Sequence, residues 1–201
     1  MNELQTTSLR PSEAKVIIAG IGGQGVIFIT RVLAQTATTL GLPAIVSEVH
    51  GMSQRGGSVN SHLKIGVGEA PLIRSGTADL LFALDELEGL RNLPFLRRGG
   101  TLLVNAEPGL PFETVAHLAH LEIAVLSVPA THIATELGAP GVANVVLMGF
   151  LAAHFLLPLP FDAVRDTLTE AAPRQRDLNL QAVEAGCRAA WFLQGRRLRW
   201  T

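Results

Sequence analysis

Two stretches of this chain have residue types and spacing suited to chemistry. The first is Gly20-Ile21-Gly22-Gly23-Gln24-Gly25, a G-x-G-x-x-G pattern. Glycines so spaced let the backbone turn tightly and let a phosphate approach the amide N–H groups at a helix N-terminus. The second runs from Glu48 through His50 to Ser53-Gln54-Arg55-Gly56-Gly57. Arg55 carries five donors in a fixed fork, suited to a phosphate or carboxylate. Gly51 and the Gly56-Gly57 pair permit a tight excursion of the backbone. Glu48 lies about 20 residues past the glycine turn, where a dinucleotide-binding domain places the acid that holds the ribose hydroxyls; capping the loop is the plainer role. His50 is placed to hydrogen-bond an anionic ligand or a partner chain. Asn144 opens an apolar helix and either caps it or closes a ligand pocket.

No catalytic residue emerges. There is no Gly-x-Ser-x-Gly elbow, and Cys187 lies in a helical stretch among alanines. His117 and His120 share a helix face without acid or thiol at ligand spacing, so an exposed pair is expected and no metal site.

The elements that position these residues alternate. Strand-like runs are Lys15–Ala19, Ala44–Glu48, Leu80–Leu84, Thr101–Asn105 and Ile123–Val128, short and apolar as buried parallel strands are. Val26–Leu40, Leu87–Leu96 and Glu113–Leu121 read as helices between them. Ser58–Val67 alternates apolar with polar residues, which predicts a half-exposed strand, antiparallel or at an edge. From Thr131 the chain is largely helical, with Val142–Leu157 a buried core helix, too short for the roughly 20 residues of a membrane span. The pattern predicts a Rossmann-like α/β fold: a doubly wound, mostly parallel sheet with a C-terminal helical region. The expected organisation is a flexible N-terminus (1–14), one domain (15–195) and a basic tail (196–201).

Composition limits the classes. The 201 residues are 48% hydrophobic and 16% charged, with net charge −1. A large core is available, and the charge-poor surface suggests cover by a partner chain. The balance carries no nucleic-acid footprint. One cysteine fits a reducing, cytoplasmic setting, and the polar start of the chain has no apolar signal core.

Taken in order, several segments resemble a known family. They are Gly20 to Val26, the loop Gly51 to Gly57, the run Ala78-Asp-Leu-Leu-Phe-Ala-Leu-Asp85, Asn144, and Asp177-Leu-Asn-Leu-Gln-Ala-Val-Glu-Ala-Gly186. The same order occurs in the gamma-type domain of 2-oxoacid:ferredoxin oxidoreductases. The loop Ser47 to Gly57 looks most like the beta-subunit version of indolepyruvate-type members. It lacks the Tyr-Gly-Pro-Glu form that precedes the arginine in pyruvate-type relatives. The resemblance spans roughly Lys15 to Gly186.

It implies a reaction: oxidative decarboxylation of an arylpyruvate on thiamine diphosphate, with electrons passing through [4Fe-4S] clusters to ferredoxin and the acyl group to coenzyme A. A four-iron cluster takes four cysteine thiolates, and this chain has one cysteine and no Gly-Asp-Gly thiamine signature. Clusters and thiamine diphosphate are therefore expected on a larger alpha subunit, in a hetero-oligomer. By the same resemblance the backbone of Gly22–Gly25 and Arg55 contacts phosphate or pantetheine groups of coenzyme A. Two other readings stand beside this one: a stand-alone Rossmann-type oxidoreductase binding NAD(P) or flavin, and a structural partner subunit with no ligand.

Overall fold

The computed structural model describes residues 12–50, 56–66, 68 and 70–197. Six strands form one sheet: β1 (Ala14–Ile21), β2 (Ala44–His50), β3 (Ser58–Ile65), β4 (Ala78–Ala83), β5 (Leu96–Asn105) and β6 (Ala124–Val128). Their order is β2-β3-β1-β4-β5-β6. β1, β4, β5 and β6 are parallel to one another, whereas β3 runs antiparallel to both neighbours. Helix α1 (Val26–Thr39) follows β1, α2 (Glu86–Asn92) follows β4, and α3 (Phe112–His120) follows β5. The helical region holds α4 (Ala130–Glu136), α5 (Ala143–Ala153), α6 (Phe161–Ala171) and α7 (Arg176–Arg197). The expected α/β fold, with its mostly parallel sheet and helical C-terminal part, is what the structure shows.

Alternate residues of the central strands feed two cores. Val16, Ile18, Leu80 and Phe82 point to one face, where they join α1, α5, α6 and α7. Ile17, Ala19, Leu81 and Ala83 point to the other, with Leu118 of α3. Burial on both faces is why these strands read as unbroken apolar runs.

β3 departs from expectation. It is antiparallel, but it lies inside the sheet, and Ser61 to Ile65 are buried rather than half-exposed. Leu63 and Ile65 pack in the α1 core. The polar face is covered through partners instead of solvent. Asn60 Nδ2 donates to Asn92 Oδ1 at 3.1 Å, the Ile73 N–H donates to His62 Nδ1 at 3.0 Å, and Lys64 Nζ donates to the Ala70 carbonyl at 2.6 Å. Buried polar groups are tolerated when paired in this way. On this side of the sheet the edge strand is β2.

Two further boundaries shift. The helix read as Leu87–Leu96 stops at Asn92, because Pro94 turns the chain into a single 3₁₀ turn. β5 then begins at Leu96, before the expected Thr101, with Arg97 paired to Asp79 and Arg98 to Glu122, each at 2.8 Å.

Helices α5 and α7 cross with their backbones in contact. A Cβ placed on Gly149 meets the Val183 carbonyl, and one on Gly186 meets the Val146 carbonyl, so neither position accepts a side chain. The late motif ending at Gly186 thus has a packing explanation. Gly149→Ala or Gly186→Ala should destabilise the chain by about 3 kcal/mol through overpacking, lowering Tm by roughly 10 °C; an unchanged melting curve would contradict this crossing.

His62 yields a pH dependence. Its Nδ1 accepts from Ile73, its ring stands edge-on to Phe95 at 5.3 Å, and burial, then the nearby Lys64 charge, push its pKa below the ordinary 6.5. Folding therefore favours the neutral ring. This contribution is complete above pH about 6.5 and declines as pH falls from there towards the folded value. Urea unfolding at pH 7.5 and 5.5 should show a loss of stability in the native chain that is smaller in His62→Gln.

Candidate functional site

The glycine turn occupies the sheet's topological switch point. From β1 the chain crosses one face through α1 towards β2; from β4 it crosses the other face through α2 to β5. Open α/β sheets bind ligands in the crevice beyond the strand C-termini at such a point. Gly20 and Ile21 end β1, Gly22 to Gly25 turn, and α1 starts at Val26. Gly25 is the N-cap at φ 87°, in the left-handed region that favours glycine. Gln24 folds back so that its Oε1 accepts the Ile21 N–H at 2.8 Å. No side chain caps α1 and its first turn carries no acid, so the positive end of the helix is not neutralised locally.

Asn144 closes one side. It lies in the first turn of α5 rather than at the N-cap, which is Val142. Its Oδ1 accepts the Val145 N–H at 2.8 Å, and its Nδ2 stands where a Cβ on Gly25 would have to go. It thus takes part of the capping role and also walls a cavity of about 190 Å³, shared with Gly23, Gln24, Leu84, Asn105 and Thr131. Asn105 ends β5 and joins this wall by donating to the Leu84 carbonyl at 3.2 Å and to Thr131 Oγ1 at 2.8 Å. Across the turn lies a second hollow of about 380 Å³, walled by Ile21, Gly22, Val26, Ile27 and Val59. The first hollow carries three side-chain amides, from Gln24, Asn105 and Asn144; the second is walled mainly by aliphatic groups.

The second motif reaches the first through its glycines. The Gly22 N–H donates to the Gly57 carbonyl at 2.9 Å, and Gly56 lies beside it. Ser53, Gln54 and Arg55 lie outside the described residues. His50 is the last residue of β2 and pairs with Val59. Glu48 is exposed on β2 opposite Ser61. It does not stand on the strand next to β1, as the acid of a dinucleotide site does. β3 intervenes and sets β2 roughly 10 Å from β1, two strand spacings.

Sequence reasoning missed Asn105 and Thr131. Their signal is weak: a polar residue at each of two strand-to-helix junctions on the C-terminal side of the sheet. His117 and His120 are exposed, and among the described residues no group of three His, Cys, Asp or Glu could hold a metal ion. Among the same residues no helix is long and apolar enough to cross a membrane.

This architecture has relatives. A model of the pyruvate ferredoxin/flavodoxin oxidoreductase family matches residues 15–189. The chain belongs to that family. It is 32% identical over 185 residues to indolepyruvate oxidoreductase subunit IorB of Archaeoglobus fulgidus, covering 85% of this chain and 92% of that one. The gamma subunit of a keto/oxoacid ferredoxin oxidoreductase from Geobacter sulfurreducens shares the fold, with TM-score 0.70 and 24% identity over 89% of this chain and 98% of its own. A 2-oxoglutarate:ferredoxin oxidoreductase from Magnetococcus marinus, solved with 2-oxoglutarate, coenzyme A and succinyl-CoA bound, matches 90% of this chain at TM-score 0.75 and 18% identity. This chain corresponds to 31% of that longer one. The family match extends to Ala189, so it includes the glycine turn, the Gly51–Gly57 loop, Asn144 and the α5–α7 crossing.

The close fit of Gly25 against Asn144 can be tested by coupling. Gly25→Ala should cost about 2–4 kcal/mol, from the left-handed backbone and the collision together. In Gly25→Ala/Asn144→Ala the collision disappears, so urea unfolding should give a total below the sum of the single effects; strict additivity would refute the contact.

Proposed function

We propose that this chain is the non-cluster subunit of a 2-oxoacid:ferredoxin oxidoreductase acting on an arylpyruvate such as indolepyruvate, and that its switch-point crevice holds coenzyme A. Family membership and the kinship to an indolepyruvate oxidoreductase subunit support the reaction class. The observation that carries the ligand reading is the Gly22–Gly57 hydrogen bond, which joins both glycine motifs into one floor at an uncapped helix N-terminus.

The overall reaction converts a 2-oxoacid, coenzyme A and two oxidised ferredoxins into acyl-CoA, carbon dioxide, two reduced ferredoxins and a proton. Thiamine diphosphate, on a larger alpha subunit, supplies the means to decarboxylate the oxoacid, and [4Fe-4S] clusters there carry the two electrons. One cysteine cannot furnish a cluster's four thiolates, which supports placing the clusters on that partner.

This chain's contribution is binding and orientation. The free N–H groups opening α1 suit a phosphate oxygen, and the absence of acid in that turn leaves the attraction uncancelled. The aliphatic hollow beside Val26 and Val59 suits an apolar arm, and the amides of Gln24, Asn105 and Asn144 suit a polar one. Arg55 adds a forked cation for phosphate. No residue of this chain is assigned a proton-transfer or nucleophilic role.

In the complex assembled with its alpha subunit, Arg55→Ala should raise the KM for coenzyme A about tenfold, the worth of one charge-assisted hydrogen bond, while kcat and assembly stay near native. An unchanged KM would sink the ligand reading and favour a structural subunit.

A further inference from the structure

The glycine floor has a support that belongs to neither motif. Ser58 opens β3 directly after Gly57, and its hydroxyl donates to Glu88 Oε2 at 2.5 Å. Glu88 is 2% exposed and comes from α2, on the face of the sheet away from α1. Its other oxygen accepts Arg91 Nη1 at 2.5 Å, and its own N–H is held by the N-cap Asp85 at 3.1 Å. One turn on, Asn92 donates to the Glu88 carbonyl at 2.9 Å and accepts from Asn60, so α2 grips β3 twice.

Burying a carboxylate is costly, and an aliphatic side chain at position 88 would avoid that cost. Packing alone therefore does not account for a carboxylate there. What the carboxylate does is hold the first residue of β3, adjacent to the carbonyl that accepts the Gly22 N–H.

We propose that Glu88 is a positioning residue for the ligand-facing turn: through Ser58 it fixes Gly57, and through Gly57 it fixes Gly22. Without it the sheet remains paired through the rest of β3, but the corner at Gly57–Ser58 is released and the amides opening α1 lose their register with the second motif. The link between residues is a property of this chain; its kinetic consequence rests on the coenzyme A reading.

Two readouts test it, and both must move. Amide exchange at Gly22, followed by NMR in the full chain, should quicken about tenfold in Ser58→Ala and in Glu88→Ala, as expected for loss of one hydrogen bond to a charged group. In the assembled complex the same variants should raise the KM for coenzyme A about tenfold with kcat within twofold of native. Glu88→Gln keeps an acceptor for Ser58 and should restore most of both. The Ser58→Ala/Glu88→Ala double variant should be no worse than either single one. Ser58→Ala removes only a hydroxyl, so it carries the test even where Glu88→Ala fails to assemble. Unchanged Gly22 exchange in Ser58→Ala overturns the proposal. Faster exchange with an unchanged KM overturns it too; Arg55→Ala then separates the cases. If Arg55→Ala raises the KM, the coenzyme reading survives and only Glu88 is wrong. If it does not, the coenzyme reading has failed.

Discussion

The antiparallel strand β3, wedged between β1 and β2, fixes where the chain leaving β2 must return. It places Gly57 beside the end of β1, and from that follows the hydrogen bond to the Gly22 N–H. A parallel neighbour could not do this, because its C-terminal end would lie there and its N-terminal entry at the opposite edge. With β3 reversed, a strand start and a strand end meet at one place. The loop entering β3 and the turn leaving β1 then share a floor, at the sheet edge where ligands settle in open α/β folds. The same wedge moves β2 outward and takes Glu48 away from the place a ribose-binding acid occupies. One strand's place and direction thus separate this crevice from that of an ordinary dinucleotide-binding sheet with the same glycine pattern.

Behind that floor the fold is held from two sides. The α5–α7 crossing brings backbones into contact at Gly149 and Gly186, which sets α5 at one height against the sheet. Asn144 sits in the first turn of α5, so its reach over Gly25 depends on that height. On the other face, α2 sets Ser58 through Glu88. The crevice is therefore framed by helices from both layers.

Much of this was legible in the residues. The apolar runs of β1, β4, β5 and β6 follow from burial on both faces, and the glycine turn announces the helix it opens. The alternation of β3 pointed to a half-exposed strand, antiparallel or at an edge; it is antiparallel, but interior and largely buried. Asn60, His62 and Lys64 look solvent-facing until Asn92, Ile73 and Ala70 are seen to cover them. Those partners come from other elements, and no local pattern encodes the match. Glu88 is hidden in the same way. Asp85-Glu-Leu-Glu88 has the spacing of a helix start, which explains Asp85 and says nothing of Ser58, thirty positions away. Gly149 and Gly186 read as ordinary small residues in helices, since close helix approach is a property of two segments at once.

Among the described residues no strand lies on the outer side of β2, where Val46 and Val49 are exposed. A sheet edge of that kind is a template for sticking to another molecule's sheet. Glu48 stands between those valines, and a charge in the middle of an edge strand opposes such joining, because the carboxylate would have to be dried and matched. A carboxylate too far from β1 to serve a ribose thus has a physical effect of another kind, on how the subunit behaves before anything covers that side.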